Sequence, residues 1–282
     1  MWVLALLISV FWGSAFVTIR VGLEGYSPAQ MAVLRFAIAA IILGIYGIFI
    51  KIRWPERRDL FRMALGGLAG ISVYHFALNK GEQEVPAGIA SVLLAILPLW
   101  VNLWSFLFLK ERLRIWAYIG MLVSFTGVAI ISLRDGQQFD INMYFWLVML
   151  ATVAGSFFSV IQKSCLERVR PIEFNFFAIC FGVLFLLPFS SGLLDSMRTA
   201  SPRATLSVIY MGIFPGALTF VWWGKILSKM PASRAVTFLY LIPVFATVIA
   251  WAWLGEQISP IDVLGGAVTL GGVVLANTLG KA

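Results

Sequence analysis

Charged residues are scarce in this chain, and their scarcity identifies the solvent in which it folds. Of its 282 residues, 12% are charged and 61% are hydrophobic, and the mean hydropathy is +0.93. Soluble globular domains carry roughly 25% charged residues. A fold surrounded by water could not hide this much apolar surface. The composition therefore excludes a soluble globular protein and predicts an all-α integral membrane protein in a lipid bilayer.

Metal ligands and catalytic groups are also scarce. The sequence has one histidine, His75, and two cysteines, Cys165 and Cys180, which do not form a C-x-x-C pair. It has no H-E-x-x-H motif, no pair of aspartates inside an apolar run and no Walker A motif. These absences argue against a metal site, a disulfide framework, direct ATP hydrolysis and enzymatic activity in general. We therefore expect neither a metal nor a cofactor.

The net charge of +8 does not indicate a nucleic-acid partner, because the basic residues lie in short loops between apolar runs and form no basic face. Most of these loop residues fall on the side of the membrane that holds the N-terminus, which predicts that both termini are cytoplasmic. The first apolar run lacks a basic region before it. We expect it to be a spanning helix of the mature protein and not a cleaved signal peptide.

Ten apolar runs are long enough to cross a bilayer, which takes about 20 residues per helix. The short connections between them leave no room for a soluble domain, and their even number agrees with two termini on one side. The predicted spans are 2–22, 28–50, 60–79, 85–109, 115–133, 143–164, 171–191, 204–227, 232–254 and 260–279.

The two halves of the sequence repeat each other, with residue i matching residue i + 145. Pro98 thus matches Pro243, and Glu111 matches Glu256, without a gap from residue 67 to residue 128. A repeat of five helices has an odd number of crossings, so its second copy enters the membrane from the opposite side. We predict ten transmembrane helices in two inverted five-helix repeats, 1–140 and 141–282, an architecture typical of secondary transporters.

Three short motifs carry a family resemblance. They are the F-W-G-S-A-F run at 11–16, the L-R-F run at 34–36, and the L-x-E repeated at 109–111 and 254–256. Together they resemble the drug/metabolite transporter superfamily, in particular its EamA-type ten-helix exporters, over essentially the whole chain. The overall pattern is most similar to YddG-type amino-acid exporters.

This resemblance implies a function, a location and a pathway. It implies a secondary transporter that exports aromatic or neutral amino acids, or related small metabolites, by alternating access through a central cavity. The location implied is the bacterial inner membrane. The pathway implied runs between spans 1–4 and spans 6–9, with spans 5 and 10 at the periphery. Because ten helices can enclose such a pathway in one chain, we expect a functional monomer.

Aromatic residues make up 15% of the chain, and several of them fall in the spans expected to line the pathway. Aromatic walls with few fixed charges suit uncharged or zwitterionic substrates with apolar side chains. Some residues near them, as on span 3, share one helix face. We expect substrate contacts from Trp12, Phe16, Tyr74, His75, Leu78, Asn79, Ser91, Leu94, Phe158, Gln162, Trp222, Thr237 and Tyr240.

Arg35 and His75 are ionisable residues that lie well inside predicted spans, away from the span ends, and each has two interpretations. Arg35 in span 2 either binds a substrate carboxylate or anchors helices through backbone carbonyls, and the sequence favours the anchoring role. His75 in span 3 either carries a proton or binds substrate, or it is a neutral histidine with satisfied hydrogen bonds.

Acidic residues are missing from the centre of every predicted span. A buried carboxylate is the usual proton carrier of coupled pumps. Its absence favours facilitated transport, or weak coupling through His75, over the alternative of a proton-coupled drug or cation exporter. Pro98 and Pro243 fall near the centres of spans 4 and 9, and their matching positions predict a pair of hinges.

Overall fold

Every regular element that the computed structural model describes is a helix. The described residues are 1–85, 90, 93–112, 114–132, 141–254 and 259–279. We number the helices α1 (Trp2–Leu23), α2 (Pro28–Phe49), α3 (Arg57–Gly81), α4 (Leu97–Leu109), α5 (Ile115–Ser132), α6 (Met143–Cys165), α7 (Pro171–Phe189), α8 (Leu193–Thr199), α9 (Pro202–Leu227), α10 (Ala232–Ala235, Val236–Tyr240 and Leu241–Leu254) and α11 (Pro260–Thr278).

Eight of these helices are long and apolar enough to cross a membrane: α1, α2, α3, α6, α7, α9, α10 and α11. Two further apolar helices, α4 and α5, are shorter within the described ranges. The prediction of an all-helical integral membrane protein is therefore confirmed. Within the predicted span 85–109, residues 90, 93 and 94 are helical, a turn follows at 95–96, and α4 covers Leu97–Leu109. The predicted span 60–79 is extended at both ends to Arg57–Gly81.

Three of the helices begin at the same dipeptide, Ser-Pro. Ser27, Ser201 and Ser259 are N-caps whose hydroxyl groups accept a hydrogen bond from the backbone N–H three residues later. The proline that follows lacks the N–H that the first turn would leave unpaired, and its φ angle already suits a helix. The Ser-Pro pairs therefore fix where α2, α9 and α11 begin.

Two helices contain a π-helical segment in the middle of the span. The segments are Gly67–Val73 in α3 and Gly212–Leu218 in α9, so their first residues are related by the i + 145 match found in the sequence. In α9 the cause is Pro215, which has no N–H to donate to the preceding turn. A π segment widens a helix by one residue per turn and is often found at functional sites.

Helices α5 and α11 lie in direct backbone contact. A Cβ atom placed on Gly272 would lie 2.5 Å from the carbonyl oxygen of Gly120, and one on Gly120 would lie 2.6 Å from the carbonyl oxygen of Gly272. Ser124 also donates a hydrogen bond of 3.2 Å to the backbone oxygen of Thr269. Close contact of this kind between small residues is what associates helices in lipid, where the hydrophobic effect is absent.

We expect Gly272→Ala to destabilise the protein by about 1–3 kcal/mol, because the new methyl group forces two backbones apart. The control is Gly271→Ala, one residue earlier, where a Cβ atom meets nothing within 4 Å. That change should be neutral or slightly stabilising, since alanine favours helix over glycine. Thermal unfolding in detergent micelles measures both variants, and equal midpoints would contradict the packing of α5 on α11.

Candidate substrate cavity

A cavity of about 140 Å³ lies among the helices, and its walls come from both halves of the sequence. An internal cavity of about this size is large enough to hold a benzene-sized molecule. The walls are mostly apolar. The lining residues are Trp12, Ala15, Phe16 and Ile19 of α1; Arg35 of α2; Gly70, Tyr74, His75 and Leu78 of α3; Leu94, Ala95, Leu97 and Pro98 at the start of α4; Gly155, Phe158 and Ser159 of α6; Phe220 and Trp223 of α9; and Leu239, Ile242 and Pro243 of α10.

Phe220 is the centre of the aromatic wall. Its ring lies edge-on to Trp12 at 5.9 Å, to Phe36 at 5.8 Å and to Phe158 at 5.6 Å between ring centroids. Edge-to-face contacts at these distances are the favoured geometry of aromatic pairs. One phenylalanine of α9 thus ties together α1, α2 and α6 around the cavity, although the sequence analysis did not select it.

Trp12 is held by the irregular backbone of α9. Its indole N–H donates a hydrogen bond of 3.1 Å to the carbonyl oxygen of Pro215, inside the π segment. Its ring also lies 5.7 Å from that of Trp223. The indole is therefore fixed by a polar contact at its nitrogen while its ring faces an apolar cavity.

The position of the π segment explains which tryptophan of α9 reaches the cavity. Trp222 was the sequence-based choice, but the structure places Trp223 in the wall, 2% exposed, and leaves Trp222 half-buried beside Phe11. After a π segment, all later side chains of the helix are rotated about its axis by about one residue position. The signal in the sequence is Pro215, which is unusual inside an apolar run.

Two ionisable side chains lie in the cavity wall without a partner for their buried nitrogens. Arg35 is 4% exposed, and its Nε atom has no hydrogen-bond partner among the described residues. His75 is 5% exposed, and neither of its ring nitrogens has one. Its ring packs 4.5 Å from that of Phe36. Within the described residues, His75 therefore lacks the protein partner that a histidine with satisfied hydrogen bonds would need.

Most of the predicted contact residues lie in this cavity wall. Those that line it are Trp12, Phe16, Tyr74, His75, Leu78, Leu94 and Phe158, together with both predicted hinge prolines, Pro98 and Pro243. Ser91 lies outside the described residues. The residues that the sequence analysis did not select include Arg35, Ser159, Phe220, Trp223, Leu239 and Ile242.

Four other predicted residues, besides Trp222, lie away from the cavity. Asn79 donates to the carbonyl oxygen of Pro28 at 3.1 Å, Gln162 donates to the side chain of Asn175 at 3.1 Å, and Thr237 accepts from Asn277 at 2.6 Å. Tyr240 is 1% exposed in the core between helices. Three of these four polar groups thus join helices to one another instead of facing a substrate.

Each predicted hinge proline lies close to an irregular turn. Pro98 is the second residue of α4 and follows a turn at 95–96, which the helical residues 93–94 precede. Pro243 is the third residue of Leu241–Leu254, which follows the tighter 3₁₀ turn Val236–Tyr240. Because proline removes one backbone hydrogen bond, both helices change their winding where they reach the cavity.

A carboxyl group lies just beyond the end of α3 that carries the cavity residues. Glu82 is partly buried, and its Oε1 atom has no partner within the described chain. Burial raises the pKa of Glu82 to about 8, and the positive charges of Arg20 and Arg35 oppose the rise.

The sequence and the fold both match known proteins. The EamA-like transporter family matches residues 1–133 and 142–278, which is nearly the whole chain. The chain belongs to the EamA-like transporter family. A solved crystal structure superposes on this EamA-like chain with a TM-score of 0.76, covering 98% of this chain and 97% of that one. Its sequence identity of 20% means that this likeness shows the fold alone.

Relatives of this EamA-like protein are described as transporters and not as enzymes. One, from Streptantibioticus cattleyicolor, is described as a "Probable terminal-alkyne amino-acid exporter" and is 38% identical over 283 residues, 99% of this chain and 94% of that protein. The transporter YdfC of Bacillus subtilis is 36% identical over 93% of this chain and 86% of its own length. The Escherichia coli inner membrane transporter YedA is 29% identical over 96% and 88%.

We expect Phe220→Ala to lower the free energy of unfolding by about 3 kcal/mol, because the change removes a ring on which several others pack. The control is Phe61→Ala, since Phe61 is 65% exposed on α3 and makes no comparable ring contact among the described residues. That variant should lose less than about 1 kcal/mol. Unfolding titrations in mixed micelles give both values, and similar losses would contradict the central position of Phe220.

Proposed function

We propose that this protein exports neutral or aromatic amino acids, or closely related small metabolites, through the central cavity. The observation that carries the proposal is the cavity wall itself, which joins aromatic side chains from both halves to one buried arginine. Such a wall suits a small molecule that is apolar at one end and anionic at the other. The relative from S. cattleyicolor is described as an amino-acid exporter and supports the same class of cargo.

We also propose the architecture that export requires: ten transmembrane helices in two inverted repeats, 1–140 and 141–282, in the bacterial inner membrane with both termini cytoplasmic. The matched π segments of α3 and α9, and the matched starts Arg57 and Pro202 of the two helices, support the repeat. Inverted repeats supply two alternating conformations around one site. A cavity enclosed by a single chain supports a functional monomer.

The alternative, a proton-coupled exporter of cationic drugs, has less support. Within the described part of the cavity wall the charged group is Arg35, and no aspartate or glutamate lines it. A buried guanidinium repels a cation, and no lining carboxylate is available to exchange a cation for a proton.

Several bonds between helices cluster at the end that the loop charges assign to the cytoplasm. Arg168 forms an ion pair of 2.6 Å with Asp59, and Lys163 donates to the backbone oxygens of Leu227 and Met230 at 2.7 and 2.9 Å. On the proposed mechanism these bonds close the cytoplasmic end of the pathway and break when it opens.

Among the bonds at the cytoplasmic end, those of Glu111 join the two halves of the chain most directly. Its carboxylate accepts hydrogen bonds from the backbone N–H groups of Ala232 and Ser233 at 3.1 and 3.0 Å, and from the Ser233 hydroxyl at 2.7 Å. An anion at the start of a helix is stabilised by the unpaired N–H groups there. The first half thus holds the start of α10 through one side chain.

Uptake into proteoliposomes tests the function. We expect saturable uptake of labelled neutral amino acids without a pH gradient. Trp12→Ala should raise the KM about tenfold, because it removes a ring of the cavity wall. Trp116→Ala, on α5 away from the cavity and 47% exposed, should leave the KM unchanged. Uptake that requires a proton gradient would favour the alternative, and no uptake by folded protein would refute amino-acid export.

The same assay tests the bond of Glu111. We expect Glu111→Ala to change the maximal rate of uptake severalfold while the amount of folded protein stays the same, because loss of the bond favours an open cytoplasmic end. The control is Glu84→Ala, since Glu84 is exposed and makes none of these bonds. Unchanged kinetics, or a loss of rate that only follows a loss of folded protein, would contradict this role.

A further inference from the structure

Among the described residues, Arg35 is a buried charge without a counter-ion. Arginine is almost never fully buried in proteins unless it is paired. Here no described carboxylate forms an ion pair with it, and the pairs found among the described residues involve Asp59, Glu173 and Asp195 instead. Its guanidinium carbon lies 5.0 Å from the ring of Phe36, a cation–π contact that only partly replaces a counter-charge.

Among the described carboxyl groups, that of Glu82 interacts electrostatically with Arg35. It lies beyond ion-pair distance of Arg35, and the ion pairs of the described residues do not include it. Glu82 therefore forms no direct ion pair with Arg35. The anchoring interpretation from the sequence also lacks support, because the described backbone carbonyls give Arg35 no hydrogen bond at Nε.

A second unpaired polar group lies in the same wall. Both ring nitrogens of His75 are buried and without a partner among the described residues. Arg35, which precedes Phe36 on α2, and His75, on the neighbouring helix α3, both pack against the Phe36 ring. Buried polar groups in native proteins are nearly always hydrogen-bonded, so two such groups in one cavity indicate a polar ligand that completes them.

The rest of the cavity wall requires a ligand with an apolar surface. Trp12, Phe158, Phe220 and Trp223 present apolar rings to the cavity. A ligand that fits both parts has an apolar body and one anionic end. A guanidinium binds a planar carboxylate through two parallel N–H bonds, which makes a carboxylate the anion that Arg35 fits best.

We propose that Arg35 binds the carboxylate of the transported molecule, with His75 donating a further hydrogen bond and the aromatic rings enclosing the apolar side chain. This assignment rests on the proposed function and names its substrate class: small monocarboxylates with an apolar side chain, amino acids among them. The substrate must therefore enter with its carboxylate toward the wall formed by α2 and α3.

Binding to the purified protein in detergent tests the assignment without requiring transport. The probes are L-phenylalanine and 3-phenylpropanoate, which carry a carboxylate, and 3-phenylpropanamide, which has the same shape and no charge. We expect the wild-type protein to bind the carboxylates about tenfold to a hundredfold more tightly than the amide, as for charge-assisted hydrogen bonds.

The variants then separate binding from folding. Arg35→Gln should remove the preference for carboxylates and leave amide binding unchanged. Arg35→Lys, which keeps the charge and is the safer variant for folding, should keep about a tenth of the wild-type preference because lysine cannot form the paired bonds. The control is Arg203→Gln, at an exposed site outside the cavity wall, which should bind all three probes as the wild-type protein does.

Three results would overturn the assignment. The first is a wild-type protein without any preference for carboxylates over the amide. The second is a preference that survives at full strength in Arg35→Lys or Arg35→Gln. The third is an equal loss of binding of all three probes in these variants, which is the result expected of a purely structural arginine. Failure of the proposed function gives a different result, namely selective carboxylate binding in detergent with no uptake into proteoliposomes.

Discussion

Backbone hydrogen bonding in lipid is the constraint on which this structure depends. Lipid offers no partners, so irregular backbone is tolerated only where protein buries it or where it lines a cavity. Four departures from regular α-helix lie at the cavity, namely Gly67–Val73, Gly212–Leu218, and the turns near Pro98 and Pro243. Gly70, Pro98 and Pro243 line the cavity, and Phe220 lines it two residues after Gly212–Leu218. The π segment Ser105–Leu109 and the 3₁₀ turn Leu187–Phe189 lie outside the cavity wall. The geometry of the site is thus a consequence of where the helices are interrupted.

Helix positions are predictable from the sequence where a local signal coincides with the end of an apolar run. The Ser-Pro start of α2 at Pro28 and that of α11 at Pro260 are of this kind. The start of α3 is not predictable in this way, because its first turn contains Arg57, Arg58 and Asp59. A prediction from hydropathy assigns such charged residues to a loop. Asp59 in this turn is paired with Arg168, and a partner distant in sequence leaves no local signal.

The residues of the cavity are predictable to a similar degree and for similar reasons. Large aromatics such as Trp12 on α1 and Tyr74 on α3 were predictable because they lie in spans that the family resemblance places along the pathway. The face of α9 that lines the cavity was not predictable, because one π segment moves Trp223 into the wall in place of Trp222. Composition also cannot tell whether a buried amide such as that of Gln162 joins two helices or faces a cavity, because both need one polar partner.

The charged part of the cavity wall, at Arg35, and its aromatic part differ in how strictly they select a substrate. A low-dielectric wall that excludes water strengthens a charge interaction, whereas aromatic surfaces distinguish related apolar groups weakly. On the proposed assignment, Arg35 therefore decides whether a molecule with a carboxylate binds, and the rings around Phe220 accept side chains of different shape. A transporter built in this way recognises a class of molecules by one charge, and its range within that class follows from the apolar volume that the rings leave open.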